Sequence, residues 1–490
     1  MDAPVAAPLH CLADLSRLIV LNTDSYKTSH WLQYPPGTTH VHSYVESRGG
    51  IHDRLVFFGL QAILKEYLLR PVQAEDVQLA AEVCAGHGVP FNREGWLHIV
   101  RQHGGRLPVR ICAVPEGSVV PVHQVLATVE NTDPQCAWLT SYLETALLRL
   151  WYPTTVATNS WMSKRLIEQF LEDTGDPAGL PFKLHDFGAR GVSSFESAVL
   201  GGLAHLVNFQ GTDTLSAVLG ARLYYGEPMA GFSIPAAEHS TITAWGREGE
   251  GQAYANMLAQ YARPGAVLAV VSDSYDLDHA VRALWGQQLR EQVKASGALV
   301  VVRPDSGDPA AIVLKTVLQL DSAYGSELNA KGYRVLKHVR VIQGDGITLR
   351  SIRSILNGLK AHQFSADNVA FGQGGALLQI VNRDDQRFAM KCSAVAVNGQ
   401  WRDVYKDPAT DPAKRSKAGR LTLLQRQREF QTLRQDDPRA QALQREGWVP
   451  ALRPVYEDGA LWVDDTLAQV RERAEAAAEG YRPGYHSAAP

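Results

Sequence analysis

The sequence predicts an α/β protein with two domains: a (β/α) barrel-like domain over residues 156–384, and an α+β sandwich domain over residues 1–155 that residues 385–490 complete. A chain of 490 residues is too long for one ordinary hydrophobic core, so about two domains are expected. From about residue 264, short apolar runs alternate with segments of helical period, which is typical of βα units. The two ends of the chain show strand-like alternation instead, which indicates a separate α+β region.

Four apolar runs carry the barrel prediction, because each ends in Asp, Ser or Gly and leads toward a helical segment. They are "AVLAVVSDSYD" (266–276), "ALVVVRPDSGDP" (298–309), "VRVIQGDG" (339–346) and "NVAFGQGG" (368–375). Between the last two runs, apolar residues recur at i, i+3, i+4 and i+7, which predicts a helix packed on the sheet. Those residues are Ile352, Ile355, Leu356 and Leu359. Functional side chains follow the strands of parallel barrels, so one rim should gather Asp273, Arg303, Asp305, Asp345 and the glycines near residue 374.

The first 150 residues have a different pattern. "HVHSYVESRG" alternates like a strand, "LVFFGLQAILKEYLL" predicts a helix, and "VPEGSVVPVHQVLATVEN" predicts a hairpin or meander. A similar strand-like pattern returns after about residue 385 in "RFAMKCSAVAVNGQWRDVYKD". We therefore expect the C-terminal part of the chain to complete the first domain.

Composition excludes several classes of partner. A hydrophobic content of 45%, a charged content of 20% and a formal net charge of -3 describe a globular protein without electrostatic bias toward nucleic acid or acidic membranes. The N-terminus lacks a basic segment, and no apolar run approaches the roughly 18 residues that span a bilayer. Five scattered cysteines without metal-type spacing favour a reducing compartment, and we expect a cytoplasmic protein. They are Cys11, Cys84, Cys112, Cys136 and Cys392.

The stretch "KLHDFGARG" (183–191) combines an aromatic ring, a glycine and an arginine. A flat ring stacked on Phe187 and an anion bound by Arg190 would suit a planar heterocycle beside a phosphate, with Gly188 allowing close approach of the chain. The alternative is a strand end with a buried Phe and a surface Arg.

Two glycine-rich turns, "QGDG" (343–346) and "GQGG" (372–375), follow successive strands. Exposed backbone N–H groups at such turns bind phosphate, and late loops of a barrel are a usual place for a phosphate site. Tight turns that merely need glycine are the alternative.

Charged pairs supply further candidates. Arg303 could bind a phosphate oxygen, while Asp305 could accept a ribose hydroxyl or support Mg²⁺; an ion pair within the loop is the competing account. Glu238 and His239 are adjacent, and a histidine held by a carboxylate can act as a base, anion ligand or phosphoryl acceptor, although a lone histidine is more often structural.

Two other segments leave alternatives open. Asp213, in "NFQGTDT" (208–214), could simply cap the helix that follows. The basic run "YKDPATDPAKRSKAGR" (405–420) could be a solvated loop or could bind a diphosphate, and its three Asp residues argue against nucleic acid.

Together these motifs resemble the nicotinamide phosphoribosyltransferase family. The resemblance runs from about Thr23 to about Leu423 and includes "TDSYKTSHWLQYPP", "LHDFGARGVSS", "GTDT", "PAAEHSTITAWG", "VSDSYD", "RPDSG", "QGDG" and "FGQGG". It implies a homodimeric type II phosphoribosyltransferase with active sites at the subunit interface. Phosphoribosyl pyrophosphate and nicotinamide would be the substrates, with Mg²⁺ as cofactor and ATP as co-substrate.

The resemblance also implies roles for individual residues. Phe187 and Tyr26 of the partner subunit would stack on the two faces of the pyridine ring, and Asp213 would contact the carboxamide. Other implied substrate contacts are Arg190, Ser233, Pro304, Gly344, Asp345, Gly374, Gly375 and Arg383. The implied catalytic residues are His239, Arg303 and Asp305, with His239 phosphorylated by ATP. The implied diphosphate and ATP contacts are Arg48, Glu238, Asp273, Lys391, Lys406 and Lys414, while the Mg²⁺ ligands stay open.

Two rival functions are compatible with this pattern. A nicotinate phosphoribosyltransferase shares the fold and the donor, but an acidic Asp213 should repel the carboxylate of nicotinate. A non-catalytic metabolite-binding or signalling protein would need only the ring pocket, so the full set of phosphate motifs argues against it.

Overall fold

The computed structural model describes residues 14–15, 17–407, 410, 415–478 and 481, so Cys11 and Lys414 lie outside the described residues. The chain divides into two compact units. The first comprises the described residues of Met1–Thr155 and Asn382–Ala477, and the second comprises those of Val156–Val381 with a short C-terminal segment. Helix Trp151–Thr174 runs across the division.

A six-stranded sheet forms the centre of the second unit, and all its neighbouring strands are parallel. In spatial order the strands are Gly211–Thr212, Leu184–Asp186, Val369–Gln373, Val339–Gln343, Leu299–Arg303 and Val267–Val271. All four apolar runs predicted as strands are therefore strands of this sheet. Their central valines are buried, as expected for a parallel sheet covered on both faces.

Residues 232–236 connect the two edge strands of this sheet. Phe232 forms a parallel bridge with Gly211 at one edge, and Ala236 forms one with Ala269 at the other. The Thr212 N–H donates to the Phe232 carbonyl at 3.0 Å, and the Ala237 N–H donates to the Ala269 carbonyl at 3.0 Å. These contacts close the ring of strands, which confirms the barrel-like prediction.

The helices of the second unit begin where the sequence supplies capping residues. Asp308 accepts the N–H of Ala311 before helix Pro309–Tyr324, and Thr348 accepts the N–H of Ser351 before helix Leu349–Ala361. The apolar face predicted for the second of these helices is buried against the core. The other helices are Phe195–Leu206, Leu215–Tyr225, His239–Thr243, Glu250–Tyr261, Leu277–His279 with a π-helical continuation to Gln288, Arg290–Ser296 and Gly375–Leu378. A hairpin of Ser326–Leu328 and Arg334–Leu336 precedes strand Val339–Gln343.

The first unit is built around an antiparallel sheet that uses both ends of the chain. Its strands, in spatial order, are Gln400–Asp403, Phe388–Val397, Thr38–Ser47, Val125–Asn131, Val109–Ala113, Arg453–Glu457 and Ala460–Leu461. Strand Thr38–Ser47 lies between Phe388–Val397 and Val125–Asn131, so the C-terminal strands do complete this sheet. The longer helices beside it are Ala74–His87, Arg93–His103, Pro438–Arg445 and Leu467–Ala476. A small separate sheet is formed by Leu421–Arg426, Glu429–Arg434 and Val449–Pro450.

Two local predictions in the first unit were wrong. The segment predicted as one helix begins with strand Arg54–Val56, and its helix starts only at Leu60 and becomes π-helical over Leu64–Leu68. The segment predicted as a hairpin or meander does not pair with itself, because Val119–Pro121 pairs with Arg54–Val56 while Val125–Asn131 joins the large sheet. Pro121 has no N–H to donate and His123 has a φ of 66°, which turns the chain from one sheet into the other.

No helix among the described residues is both long enough and apolar enough to cross a bilayer.

Candidate functional site

A cleft of about 850 Å³ opens at the carboxyl ends of the parallel strands. Such a location is usual for ligand sites in α/β folds. It is lined by Phe187, Ala189, Arg190, Gly191, Asp213, Thr214, Ala236, Ala237, Glu238, Arg303, Asp305, Gly344, Asp345, Gly346, Ile347, Thr348, Gly374, Gly375, Ala376 and Ile380. The sheet thus brings together most of the site residues that the sequence predicted in this unit.

The half-buried ring of Phe187 lies directly on the backbone of a neighbouring strand. A Cβ atom at Gly372 would stand 1.9 Å from Cε2 of Phe187, so only glycine leaves room for the ring. The turn after Phe187 is held by Asp186, which is fully buried and whose Oδ1 accepts the N–H of Gly188 at 2.7 Å. One face of an aromatic ring is therefore fixed in the cleft wall.

Asp213 is held by two donors that come from separate parts of the chain, strand Leu184–Asp186 and the connecting segment 232–236. His185 donates from Nε2 to Asp213 Oδ1 at 2.9 Å, and the Ser233 hydroxyl donates to the same oxygen at 2.5 Å. Burial alone would raise the pKa of the Asp213 carboxyl, but these hydrogen bonds outweigh it and hold the pKa below its usual value. Helix Leu215–Tyr225 begins after Thr214 without a side-chain cap, so the helix-cap alternative for Asp213 was wrong.

His239 faces two carboxylates, and one of them, Asp305, lines the cleft. Its Nε2 lies 3.5 Å from Asp305 Oδ2 and 3.8 Å from Asp273 Oδ1, while its Nδ1 lies 3.1 Å from the Ser274 hydroxyl. Arg303 donates to Asp305 at 3.2 Å, so the ion pair within the loop is formed and its members also line the cleft. Pro304 is buried between them in the chain.

Glu238 is not the carboxylate that holds His239. Its side chain accepts a hydrogen bond from Ser240 and lines the cleft, whereas the acids beside the imidazole are Asp273 and Asp305. Chain adjacency is misleading here because the carboxylates beside the imidazole follow two neighbouring parallel strands, Val267–Val271 and Leu299–Arg303.

Several buried polar atoms at the cleft have no hydrogen-bond partner among the described residues. Asp273 Oδ1 and Arg303 Nε are buried and form no hydrogen bond there. Asp273 Oδ2 already accepts the Ser306 hydroxyl at 2.6 Å and the Asp305 N–H at 3.1 Å, so only Oδ1 is free for another ligand. Buried, unpaired polar atoms beside a cleft indicate a polar or ionic ligand.

The glycine turns lie where the sequence predicted. Gly344, Asp345, Gly374 and Gly375 line the cleft. Gly346 has a φ of 67° and its Cβ position is 2.9 Å from the ring of Pro309, so this turn also needs glycine for its own geometry. Both alternatives for these turns are therefore compatible with the structure.

A second candidate site, which we call the basic pocket, lies within the first unit. It has a volume of about 720 Å³ and is lined by Arg48, Gly49, Gly50, His123, Arg383, Asp384, Arg387, Phe388, Ala389 and Lys391. Burial and the nearby cations Arg48, Lys27 and Arg383 lower the pKa of Lys391, against the opposing effect of Glu144. Arg48 donates to the buried Glu46 at 2.9 Å. A group of partly desolvated cations that lie close together is suited to binding an anion.

Six described residues predicted from the resemblance do not line either pocket: Tyr26, Ser233, His239, Asp273, Pro304 and Lys406. Four of them, Ser233, His239, Asp273 and Pro304, contact or adjoin residues that line the cleft. Tyr26 is 59% exposed on the 3₁₀ helix Ser25–Leu32. Lys406 is exposed and donates its N–H to the Ser416 hydroxyl, and Lys414 falls outside the described residues. The sequence analysis did not identify His185, although it lies two residues before Phe187. It did not identify Arg387 either, because no local sequence pattern indicates the basic pocket.

Comparisons with known proteins show the family of the chain. Residues 182–457 match the nicotinate phosphoribosyltransferase (NAPRTase) family, and residues 18–111 match the nicotinamide phosphoribosyltransferase N-terminal domain. The chain is 60% identical over 463 residues to a nicotinamide phosphoribosyltransferase of Xanthomonas campestris pv. campestris, covering 94% of this chain and 98% of that one. It is 32% identical to one from Acinetobacter baylyi, covering 94% and 97% of the two chains.

Solved structures share the fold at low sequence identity. A nicotinate-nucleotide pyrophosphorylase from Pyrococcus furiosus aligns with a TM-score of 0.60 at 16% identity over 94% of this chain and 96% of that one. Human nicotinic acid phosphoribosyltransferase aligns with a TM-score of 0.56 at 19% identity over 95% of each chain.

Proposed function

The chain belongs to the nicotinamide phosphoribosyltransferases of the nicotinate phosphoribosyltransferase family, and on that premise we propose how it performs a reaction of NAD salvage. It transfers the 5-phosphoribosyl group of phosphoribosyl pyrophosphate to nicotinamide, and the products are nicotinamide mononucleotide and diphosphate.

The observation that supports nicotinamide as acceptor is the geometry of Asp213. An ionised carboxylate held by His185 and Ser233 presents an acceptor to the amide N–H₂ of nicotinamide. Nicotinate would bring a second carboxylate to the same place, and close like charges in a partly buried pocket repel each other. The neighbouring Phe187 offers a face on which the pyridine ring can stack.

The rest of the cleft suits the phosphoribosyl group. Arg190 and Arg303 supply guanidinium groups for phosphate oxygens, and the glycine turns bring the chain backbone close to the cleft. In the reaction the pyridine nitrogen forms a bond to C1 of the ribose while the bond from C1 to the diphosphate oxygen breaks. Cations around the leaving diphosphate stabilise the charge that develops on it.

The residues at the cleft fit a Mg²⁺ ion. Asp273 Oδ1 is buried without a hydrogen-bond donor among the described residues, and Asp305 stands beside it, so two hard oxygen ligands are available. Magnesium usually binds through one or two carboxylates together with substrate phosphates, and it would neutralise diphosphate charge here.

We assign the coupling to ATP to His239. Its imidazole is 47% exposed, its Nδ1 is hydrogen-bonded to Ser274, and its Nε2 faces Asp305 and Asp273, which can stabilise an imidazolium. His239→Ala should abolish nicotinamide-linked ATP hydrolysis and the acid-labile phosphate on the protein. Undiminished hydrolysis in this variant would place the coupling elsewhere.

An apolar surface beside the cleft supports the homodimer. Leu215, Leu219 and Leu223 are 78%, 64% and 67% exposed and lie on one face of their helix, with Phe195 74% exposed on the neighbouring helix. A depression lined by Phe195, Leu215 and Asp213 joins this face to the cleft. Exposed apolar patches of this kind mark protein interfaces. Tyr26 of the partner subunit would cover the ring opposite Phe187.

The dimer has a direct test. Mixing inactive Tyr26→Ala and Asp213→Ala subunits should restore part of the activity, because one site of each mixed dimer has neither substitution. Full activity in a species that sediments as a monomer would contradict this arrangement.

Free cysteines are consistent with a cytoplasmic location. Cys84, Cys112, Cys136 and Cys392 are unpaired among the described residues, as expected in a reducing compartment.

One product analysis tests the function itself. The protein is incubated with nicotinamide or nicotinate, phosphoribosyl pyrophosphate and Mg²⁺, with and without ATP, and the products are identified by mass. We expect nicotinamide mononucleotide from nicotinamide, with a higher yield when ATP is present. Preferential formation of nicotinate mononucleotide would favour the rival enzyme, and absence of both products would favour a binding protein.

A further inference from the structure

A cluster in the first unit, separate from both candidate pockets, brings two histidines and an aspartate together. His98 Nε2 and His103 Nε2 each lie 2.7 Å from Asp133 Oδ2. The three ligand atoms lie within 4.8 Å of one another, and it is the one such group of metal-ligating side chains found among the described residues. We propose that His98, His103 and Asp133 form a binding site for a divalent transition-metal ion, and that Zn²⁺ is the ion this ligand set suits.

The chemistry of the three groups matches zinc. Zinc is bound by imidazole nitrogens and carboxylate oxygens at about 2.0 to 2.2 Å, often with three protein ligands and an open fourth position. The side chains of His98, His103 and Asp133 are 20%, 27% and 15% exposed, so an ion can enter and a water molecule can complete the coordination. Hard ions such as Mg²⁺ and Ca²⁺ prefer oxygen ligands, which disfavours them here.

The supports of the cluster are built into the fold. Asp133 Oδ1 accepts the N–H of Gln135, which leaves Oδ2 for a metal, and the Asp133 carbonyl accepts the side-chain amide of the buried Asn131. Both histidines lie on helix Arg93–His103, which buries Trp96 against Trp138 with ring centroids 5.1 Å apart. Ligands on such anchored elements do not need to be ordered when the ion binds.

Charge also favours a cation. The carboxylate of Asp133 is the acidic group of the ligand set, and a bound cation would neutralise its charge. Ligands around a tetrahedral ion stand about 3.3 Å apart when the bonds are about 2.0 Å, so both histidines must move only slightly away from Asp133 Oδ2. Without metal, both imidazoles donate N–H to a single oxygen, and the ion would replace these two protons.

Zinc titration of the full-length protein tests the proposal. Protein stripped with EDTA is titrated with ZnCl₂ in competition with a chromogenic chelator, in parallel with His98→Gln, His103→Gln and Asp133→Asn. Asparagine can still accept the N–H of Gln135, so the last variant keeps the local turn. Wild type should bind one more Zn²⁺ than each variant, or bind it at least about 100-fold more tightly, since outer-shell changes alone cost 10 to 100-fold.

The exposed His87 gives a matched control in the same unit, and His87→Gln should retain the wild-type zinc binding. Zn²⁺ should raise the melting temperature of wild type and His87→Gln but not of the three ligand variants, and Co²⁺ should give the visible absorption of a tetrahedral site only in the first two. Equal zinc stoichiometry and affinity in wild type and all three ligand variants would overturn the proposal. Circular dichroism identifies any variant that fails to fold, and the two histidine variants then decide independently.

Discussion

The cleft of the second unit and the basic pocket of the first unit are built in opposite ways. The cleft collects the residues that follow parallel strands, so each contribution is a short, contiguous motif such as "RPDSG" or "QGDG". The basic pocket instead joins Arg48, at the end of one antiparallel strand, to Lys391 on the strand paired with it, far away in sequence. In a parallel sheet, the residues that follow the strands meet at one edge and form a site there. In an antiparallel sheet, the pairing of two strands places cations that are distant in sequence next to each other.

The two sites also differ in charge, and under the proposed function this difference favours binding of different parts of the substrates. The cleft holds acids whose carboxylates are tied by neighbouring donors, while the basic pocket holds cations that lower the pKa of Lys391. We therefore expect substitutions in the cleft to change acceptor choice and chemistry, and substitutions in the basic pocket to change only the affinity for the anionic donor.

The largest contrast should come from Asp213→Asn. Losing a charged hydrogen-bond acceptor costs about 1.5 to 3 kcal/mol for nicotinamide, and removing the like charge relieves the repulsion of nicotinate. The ratio of kcat/KM for nicotinamide to kcat/KM for nicotinate should therefore fall by about 100-fold or more. Steady-state kinetics with both acceptors and a melting curve measure this. A folded variant with an unchanged ratio would remove Asp213 from the acceptor site.

Gly372→Ala should be nearly as damaging without touching a substrate group. The new methyl group would stand 1.9 Å from Phe187, so the ring must leave its position in the cleft wall. A displacement of about 1 Å can cost about 100-fold in kcat/KM. Gly358→Ala, on a helix of the same unit where a Cβ meets nothing within 4 Å, is the matched control and should retain activity.

Lys391→Met should have a smaller effect of a different kind. Removing one cation from the basic pocket should raise the KM for phosphoribosyl pyrophosphate by about tenfold, equivalent to about 1.4 kcal/mol, and leave acceptor preference unchanged. Lys294→Met, which removes an exposed lysine paired with Glu291, serves as the control. A change in the ratio of kcat/KM for nicotinamide to kcat/KM for nicotinate would contradict the expectation that only the cleft determines acceptor preference.

Mild acid should lower the stability of the second unit through a buried histidine. Burial lowers the pKa of His205, in the second unit, from 6.5 to about 4, because its ring is enclosed between Ser160 and Leu184. The unfolded chain binds a proton at His205 at a higher pH than the folded protein does, so the free energy of unfolding falls as the pH drops below 6.5 and continues to fall toward pH 4. The loss is about 1 kcal/mol at pH 6. Hydrogen exchange should show local loss of protection around residues 184 and 205, and His205→Gln should flatten this pH dependence. A slope unchanged by that substitution would exclude His205 as its cause.

The sequence was sufficient for the parts that depend on local pattern. Buried valine runs followed by Asp or Gly predicted the parallel strands, and the positions of Arg303, Asp305 and Asp345 on one rim follow from strand direction alone. It was insufficient where partners are set by three-dimensional packing. The sequence paired His239 with its neighbour Glu238 rather than with Asp273 and Asp305. It also left a helix cap as the alternative for Asp213, because its partners His185 and Ser233 come from distant parts of the chain.

The closure of the parallel sheet by residues 232–236 has a consequence for cooperativity between ligands. This segment is joined to each edge by a single bridge, so it is the part of the ring with the lowest expected free energy of local opening. It carries Ser233, which holds Asp213, and it leads directly to His239. An acceptor that tightens Asp213 and a phosphate group on His239 would both restrict the same opening event. After the acceptor has bound, phosphorylation of His239 would have less conformational entropy to remove, and the reverse also holds. The two events would therefore favour each other without any change in the shape of the protein.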